Sequence, residues 1–219
     1  MTEISSYITN DFKPLEIDVS VAEAQNIFYE LKHSHFPVLE NGTYVGSISN
    51  EDLENFEADK SLADYRYQFE GFFVRDDMNW LDILEIFAKN NATLLPVLDQ
   101  NNSYLGYYEL ESIIKFFYET PFLKEEGGII IVKKSMLDYS MSQITQIVES
   151  NNGKLLGLFV SESDYSSVSV TMKISLGEIN EIIQSFRRYN YEIISVHQED
   201  DYINILKERS DYLDKYLNI

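Results

Sequence analysis

Apolar residues fall in the same order twice along this chain, 59 positions apart. In the first stretch, Ala24, Ile27, Phe28 and Leu31 recur at helical spacing behind Ser20 and Glu23. A serine with a glutamate three residues later is a capping box, so the pattern predicts a helix from Ser20 to about Lys32. Phe36-Pro37-Val38-Leu39 follows as a short apolar strand, Asn41-Gly42 as a hairpin turn and Thr43 to Ser49 as the return strand. Ser49 and Asp52 are spaced to cap a further helix from residue 50 to about 57. The second stretch repeats this course. Asn79 caps a helix carrying Leu81, Leu84, Ile86 and Phe87, Pro96-Val97-Leu98 answers Pro37-Val38-Leu39, and Gly106 answers Gly46 after one inserted residue. Leu110 to Tyr118 is the closing helix, and the polar residues 57–70 connect the copies. A unit this short cannot bury its apolar face alone, so the two copies are expected to pack into one body with a ligand cleft between them.

Beyond Pro121 and Lys124-Glu125-Glu126-Gly127-Gly128 the pattern changes. Ile129 to Val132 reads as a strand, and Ser140 with Gln143 caps a helix bearing Ile144, Ile147 and Val148. Asn151-Asn152-Gly153 stops that helix, and strands follow at Leu155 to Val160 and Val168 to Ile174. Ser175 and Glu178 cap a second helix with Ile179, Ile182, Ile183 and Phe186, and Tyr191 to Val196 is a last strand. The order βαββαβ is that of a ferredoxin-like sandwich, which makes the chain α+β. The expected organisation is a repeat pair over 1–120 (copies about 1–57 and 70–120), a linker at 121–126, a ferredoxin-like domain at 127–199 and a tail at 200–219. Tyr202, Ile203, Leu206, Leu213 and Leu217 suit that tail to a helix docking on this domain or on a second subunit.

The net charge of −20 sits mostly in the repeat: 24 acidic and 8 basic residues in 1–126, against 13 and 9 in 127–219. Such a surface repels nucleic acid and opposes a polyanionic ligand unless local donors or a divalent cation offset the field. The chain has no cysteine, which excludes disulfides, thiol nucleophiles and thiolate metal sites. Neither a secretory leader nor an apolar stretch long enough to span a membrane is visible, so a soluble cytoplasmic protein is expected.

The shape of each copy (helix, Pro-Val-Leu strand, turn, strand ending in glycine, capped helix) resembles the CBS domain, which occurs as a tandem pair. That resemblance implies a Gly-x-x-Ser/Thr-x-x-Asp stretch lining the cleft, its hydroxyl on phosphate and its aspartate on the ribose hydroxyls of an adenosine ligand. Gly46-Ser47-Ile48-Ser49-Asn50-Glu51-Asp52 matches it. Gly106-Tyr107-Tyr108-Glu109-Leu110-Glu111-Ser112 does not, because Glu109 takes the hydroxyl position and Ser112 the aspartate position. One adenosine site is therefore expected, for AMP, ADP, ATP or S-adenosylmethionine. Residues 127–199 resemble an ACT domain, a sensor that dimerises and binds amino acids; Asp138 supplies the acid of its ligand loop, but Met141 and its neighbours include no glycine. A CBS pair followed by an ACT-like domain resembles the acetoin-utilisation regulatory proteins.

Independently of any family, Ser49 and the free N–H groups of the helix it caps suit a phosphate oxygen, and Asp52 suits a vicinal diol. The same two residues also make an ordinary N-cap. Phe36 and Pro37 border the expected cleft, and His35 and Lys13 could add positive charge to it. His33 and His35 do not make a metal site, since no further ligands accompany them. Of the three histidines, His33, His35 and His197, the last has no sequence-visible partner, and no glycine-rich phosphate loop appears, so no enzyme is expected. Two functions stay open: a regulatory sensor for an adenosine-containing ligand, acting as a homodimer on an unidentified target, or a ligand-free dimerisation or interaction scaffold.

Overall fold

A computed structural model describes residues 3–175 and 179–196. The chain divides into two compact units, Met1–Phe117 and Tyr118–Ile219.

In the first unit each repeat builds a three-stranded sheet with two helices. The first copy comprises β1 (Leu15–Glu16), α1 (Val21–Leu31), β2 (His35–Glu40), β3 (Thr43–Ser49) and α2 (Asn50–Glu54), with sheet order β1-β2-β3. Ser20 caps α1 by accepting from the Glu23 N–H at 3.2 Å, and Lys32 ends it in the left-handed region at φ 56°. The second copy comprises β4 (Val74–Arg75), α3 (Trp80–Lys89), β5 (Leu94–Leu98), β6 (Tyr104–Glu109) and α4 (Leu110–Tyr118), ordered β4-β5-β6. Asn79 caps α3 through the Leu81 N–H. Leu81 itself is 59 % exposed; Ile83 and Phe87 supply the buried face instead.

The two copies are locked by exchanged segments. Residues 4–9, which precede the first copy, cross to the second: Ile4, Tyr7 and Ile8 pack on its core, and Thr9 pairs antiparallel with Tyr107. Residues 57–70, expected to be a polar connector, instead return to the first copy. Leu62 is fully buried in the first core with Tyr65 and Phe69 beside it, and Glu70 pairs antiparallel with Ser47. Burying a side chain the size of leucine contributes about 1.5–3 kcal/mol, so these segments are part of the cores they cover. The repeated glycines make this possible. Gly46 (φ 145°) and Gly106 (φ 149°) both lie at positive φ, and a Cβ on Gly46 would meet Phe69 Cβ at 2.7 Å. A Cβ on Gly106 would collide with the Thr9 carbonyl oxygen.

The second unit opens with α5 (Pro121–Lys124), within the stretch expected to be a linker; Pro121 sits at the first helical turn, where its missing N–H costs nothing. It continues as β7 (Gly127–Ser135), α6 (Met141–Ser150), β8 (Leu155–Ser163), β9 (Ser167–Ser175), α7 (Ile179–Arg188) and β10 (Glu192–Val196). The sheet is antiparallel, in the order β10-β7-β9-β8. Ile130, Val132, Val170, Met172 and Ile174 bury one face of it with Ile144, Ile147, Val148, Ile182 and Phe186 from α6 and α7. β8 and β9 run further than the sequence pattern suggests because Asp164 closes a tight turn, accepting from the N–H groups of Ser166 and Ser167. The Ser166 hydroxyl, which donates to the same carboxylate at 2.8 Å, and then these N–H groups hold the Asp164 carboxyl well below the usual carboxylate range. The expected cap at Glu178, His197 and the tail at 200–219 lie outside the described residues.

Candidate functional site

Ser34 and Thr93 occupy equivalent positions in the two copies, at the entry to β2 and β5. The Ser34 N–H donates to Thr93 Oγ1 at 3.0 Å and the Thr93 N–H donates to Ser34 Oγ at 2.7 Å. Around this junction lies a cleft of about 700 Å³. Its walls are the α1–β2 turn (Lys32, His33, Ser34, His35), the start of α2 (Ser49 to Asp52, with Glu54), Glu70, and the α3–β5 turn (Asn90, Asn91, Thr93).

At the head of α2, Ser49 Oγ accepts from the Asp52 N–H at 3.0 Å and donates to Asp52 Oδ2 at 2.9 Å. Ser49 is thus an N-cap and also fixes the rotamer of Asp52. Asp52 lines the cleft, and its Oδ1 has no hydrogen bond among the described residues. Below it, His35 is buried, its Nε2 3.1 Å from Glu70 Oε1 and its Nδ1 2.9 Å from Ser34 Oγ. The short chain Glu70–His35–Ser34–Thr93 therefore links the returning segment, the cleft floor and the junction between copies. Tyr44 braces the same region: its hydroxyl donates to the Phe72 carbonyl at 2.7 Å, and burial pushes its pKa up.

The structure gathers Ser49, Asp52 and His35 at this cleft. Phe36, Pro37 and Lys13 are not among its lining residues. Phe36 faces inward from β2 and contacts Phe12 and Phe28, Pro37 is buried in the same strand, and Lys13 is exposed. An apolar residue alternating with Val38 on a strand covered by α1 belongs to the core. Conversely, Lys32, Ser34, Glu70, Asn90, Asn91 and Thr93 line the cleft although no motif marks them. The repeat offset was the available signal, since Lys32 and Asn91 are equivalent positions, both at positive φ (56° and 47°), and both line the cleft.

The equivalent position in the second copy differs, as Glu109 replaces Ser49. His33 reaches across to it, Nε2 to Oε1 3.8 Å, and packs on Phe12, which stacks on Tyr107 with ring centroids 4.4 Å apart. Burial lowers the His33 pKa, and the Glu109 charge works in the opposite direction. The position in the second copy equivalent to His33 is Ala92, which is buried in the second core. Four carboxylates (Glu51, Asp52, Glu54, Glu70) line the cleft with Lys32 and the two histidines. Among the described residues no group of three or more His, Asp or Glu side chains is placed to hold a metal ion, and no helix is long and apolar enough to cross a membrane.

Residues 4–58 and 71–119 match the CBS domain family. An uncharacterized protein of Methanocaldococcus jannaschii is 25% identical over 150 residues, covering 68% of this chain and 56% of that protein, so the chain spans little more than half of that relative's length. Among solved structures, a CBS domain pair/ACT domain protein from Thermotoga maritima superposes with a TM-score of 0.49 at 22% identity, over 54% of this chain and 98% of that one. CBSX2 in complex with AMP gives a TM-score of 0.46 at 19% identity, over 54% and 98%.

Proposed function

We propose, from the premise that residues 4–58 and 71–119 form a tandem pair of CBS domains, which are non-catalytic regulatory modules, that the pair senses an adenosine-containing ligand in the Ser49–Asp52 cleft. The observation that carries this reading is Asp52: one oxygen is held by Ser49, and the residue lines a cleft of about 700 Å³ at the junction of the copies. A fixed carboxylate accepts two hydrogen bonds from a ribose diol without reorganising. Lys32, His33 and the Asn91 side-chain amide line the cleft as donors for a phosphate. The four carboxylates set a limit on phosphate charge, so AMP is favoured over free ATP, and ATP needs magnesium to enter.

Occupancy would act through the Glu70–His35–Ser34–Thr93 chain, biasing how the copies are held together. We read the second unit as an ACT-like domain, which its βαββαβ order and β10-β7-β9-β8 sheet support, and the protein as a homodimer acting on a regulated partner. One observation favours the rival reading, a ligand-free scaffold: the Ser49 hydroxyl and the floor at His35 and Glu70 are already committed to protein partners.

Thermal shift and calorimetry with AMP, ADP, ATP plus magnesium and S-adenosylmethionine separate the two. The sensor reading expects saturable stabilisation by at least one compound, abolished in Asp52→Ala, each variant compared with its own ligand-free melting point. No shift with any of them at millimolar concentration supports the scaffold instead.

A further inference from the structure

The sheet of the second unit has two faces, and α6 and α7 cover one of them. Ile130 and Val132 point into the core they share with these helices, so by strand alternation Ile129, Ile131 and Lys133 stand on the other face. There the register lays a row straight across all four strands: Ser195 on β10, Ile131 on β7, Thr171 on β9 and Phe159 on β8. Phe159 is 49 % exposed and Ile129, in the next row, 39 %, while Ile131 and Thr171 are half-buried. One corner of this face is covered by α5. Its Phe122 meets Phe159 edge-on with ring centroids 6.1 Å apart and stands where a Cβ on Gly157 would go, and the Leu123 carbonyl accepts from Lys173 Nζ at 3.2 Å. Ile129 and Phe159 stay exposed even so.

The chain itself supplies a segment of matching chemistry. β10 ends at Val196, paired with Ile130, so the chain leaves the sheet beside Ile129 and Ile131. At a period of 3.6 residues, Tyr202, Leu206, Leu213 and Leu217 of the following sequence fall on one side, and Asn204, Asp211 and Lys215 on the opposite side. A helix over 202–219 would be about 27 Å long at 1.5 Å per residue. Four strands about 4.8 Å apart span only about 14 Å, so such a helix can cross the row from β10 to Phe159. Residues 197–201 reach at most about 17 Å when extended, enough to turn from the edge strand onto this face. A tethered segment also acts at an effective concentration on the order of millimolar, an advantage that a second copy or a separate partner lacks.

We propose that residues 202–219 form an amphipathic helix that docks across the Ile129, Ile131 and Phe159 face of the same chain, completing the second unit as a further layer. The natural chain has no cysteine, so a spin label on Asp211→Cys sits at a single place, on the side of the segment turned away from the sheet. Paramagnetic broadening in the isotope-labelled full chain is read at the amides of Ile131, Thr171 and Phe159, with the label oxidised and then reduced. These amides are expected to lose most of their intensity, and to regain it when Leu206→Asp and Leu213→Asp are added. A mixture of spin-labelled, unenriched chain with enriched chain lacking the cysteine should show no broadening at these positions. Broadening in that mixture assigns the face to a second copy's segment and overturns the proposal. Full intensity in the spin-labelled chain, or a loss that persists with both leucines replaced, overturns it as well.

Discussion

Ser34 and Thr93, 59 residues apart, each donate a backbone N–H to the other's hydroxyl oxygen, and the two hydroxyls lie 3.2 Å apart. The pseudo-twofold relation of the repeat passes between them. Because each oxygen serves the opposite copy's backbone, the contact reports directly on how the copies are held. Ser34→Ala and Thr93→Val are each expected to cost about 0.5–1.5 kcal/mol in urea unfolding. Each change removes one of the two N–H bonds, and both remove the same hydroxyl–hydroxyl contact, so the double variant should cost less than their sum by the worth of that shared contact. Strict additivity would mean that the pair does not act as a unit.

The repeated glycines give a sharper contrast. Gly106→Ala forces a Cβ into the Thr9 carbonyl at φ 149°, so a loss of more than about 2 kcal/mol is expected. Gly71→Ala has open space around it and should change stability by about 0.5 kcal/mol or less. Equal effects at the two positions would show that the residue 4–9 segment does not lie on the second copy's sheet.

Acid sensitivity follows from His33. Its pKa is lowered chiefly by burial, with Glu109 opposing the shift. The unfolded chain takes up this proton near pH 6.5, whereas the folded chain takes it up only at lower pH. Stability from this group is therefore complete above the unfolded value and lost as pH falls through the folded one. Urea unfolding at pH 7.5 and pH 5 should show a smaller loss in His33→Gln than in the natural chain. Glu109→Gln removes the opposing charge and should enlarge the loss. Identical losses in all three would place the acid sensitivity elsewhere.

Much of the first unit was legible because its signals are local. Ser20 with Glu23, Asn41 with Gly42, and Ser49 with Asp52 each declare a cap or turn within four residues, and the offset of 59 shows that the unit is doubled. The exchanged segments were not legible. Leu62, Tyr65 and Phe69 lie too irregularly among charged residues to show a period, and their partners in β3 and α1 are far away in sequence. Ile4 and Tyr7 pack on a core about 100 residues downstream. Ser49 and Asp52 could be found as a capping pair, but Lys32, Glu70 and Thr93 join them only through the pairing of two turns. Phe36 illustrates the reverse: being next to a motif in sequence did not bring its side chain to the cleft, because strand alternation turns it into the core.

Amide shift mapping of the isotope-labelled full chain titrated with AMP addresses the adenosine site most directly. The account predicts saturable shifts at Ser34, Asn50, Asp52 and Thr93 that disappear in Asp52→Ala. Spectra that stay unchanged at millimolar AMP, or shifts that saturate elsewhere and survive Asp52→Ala, would contradict it.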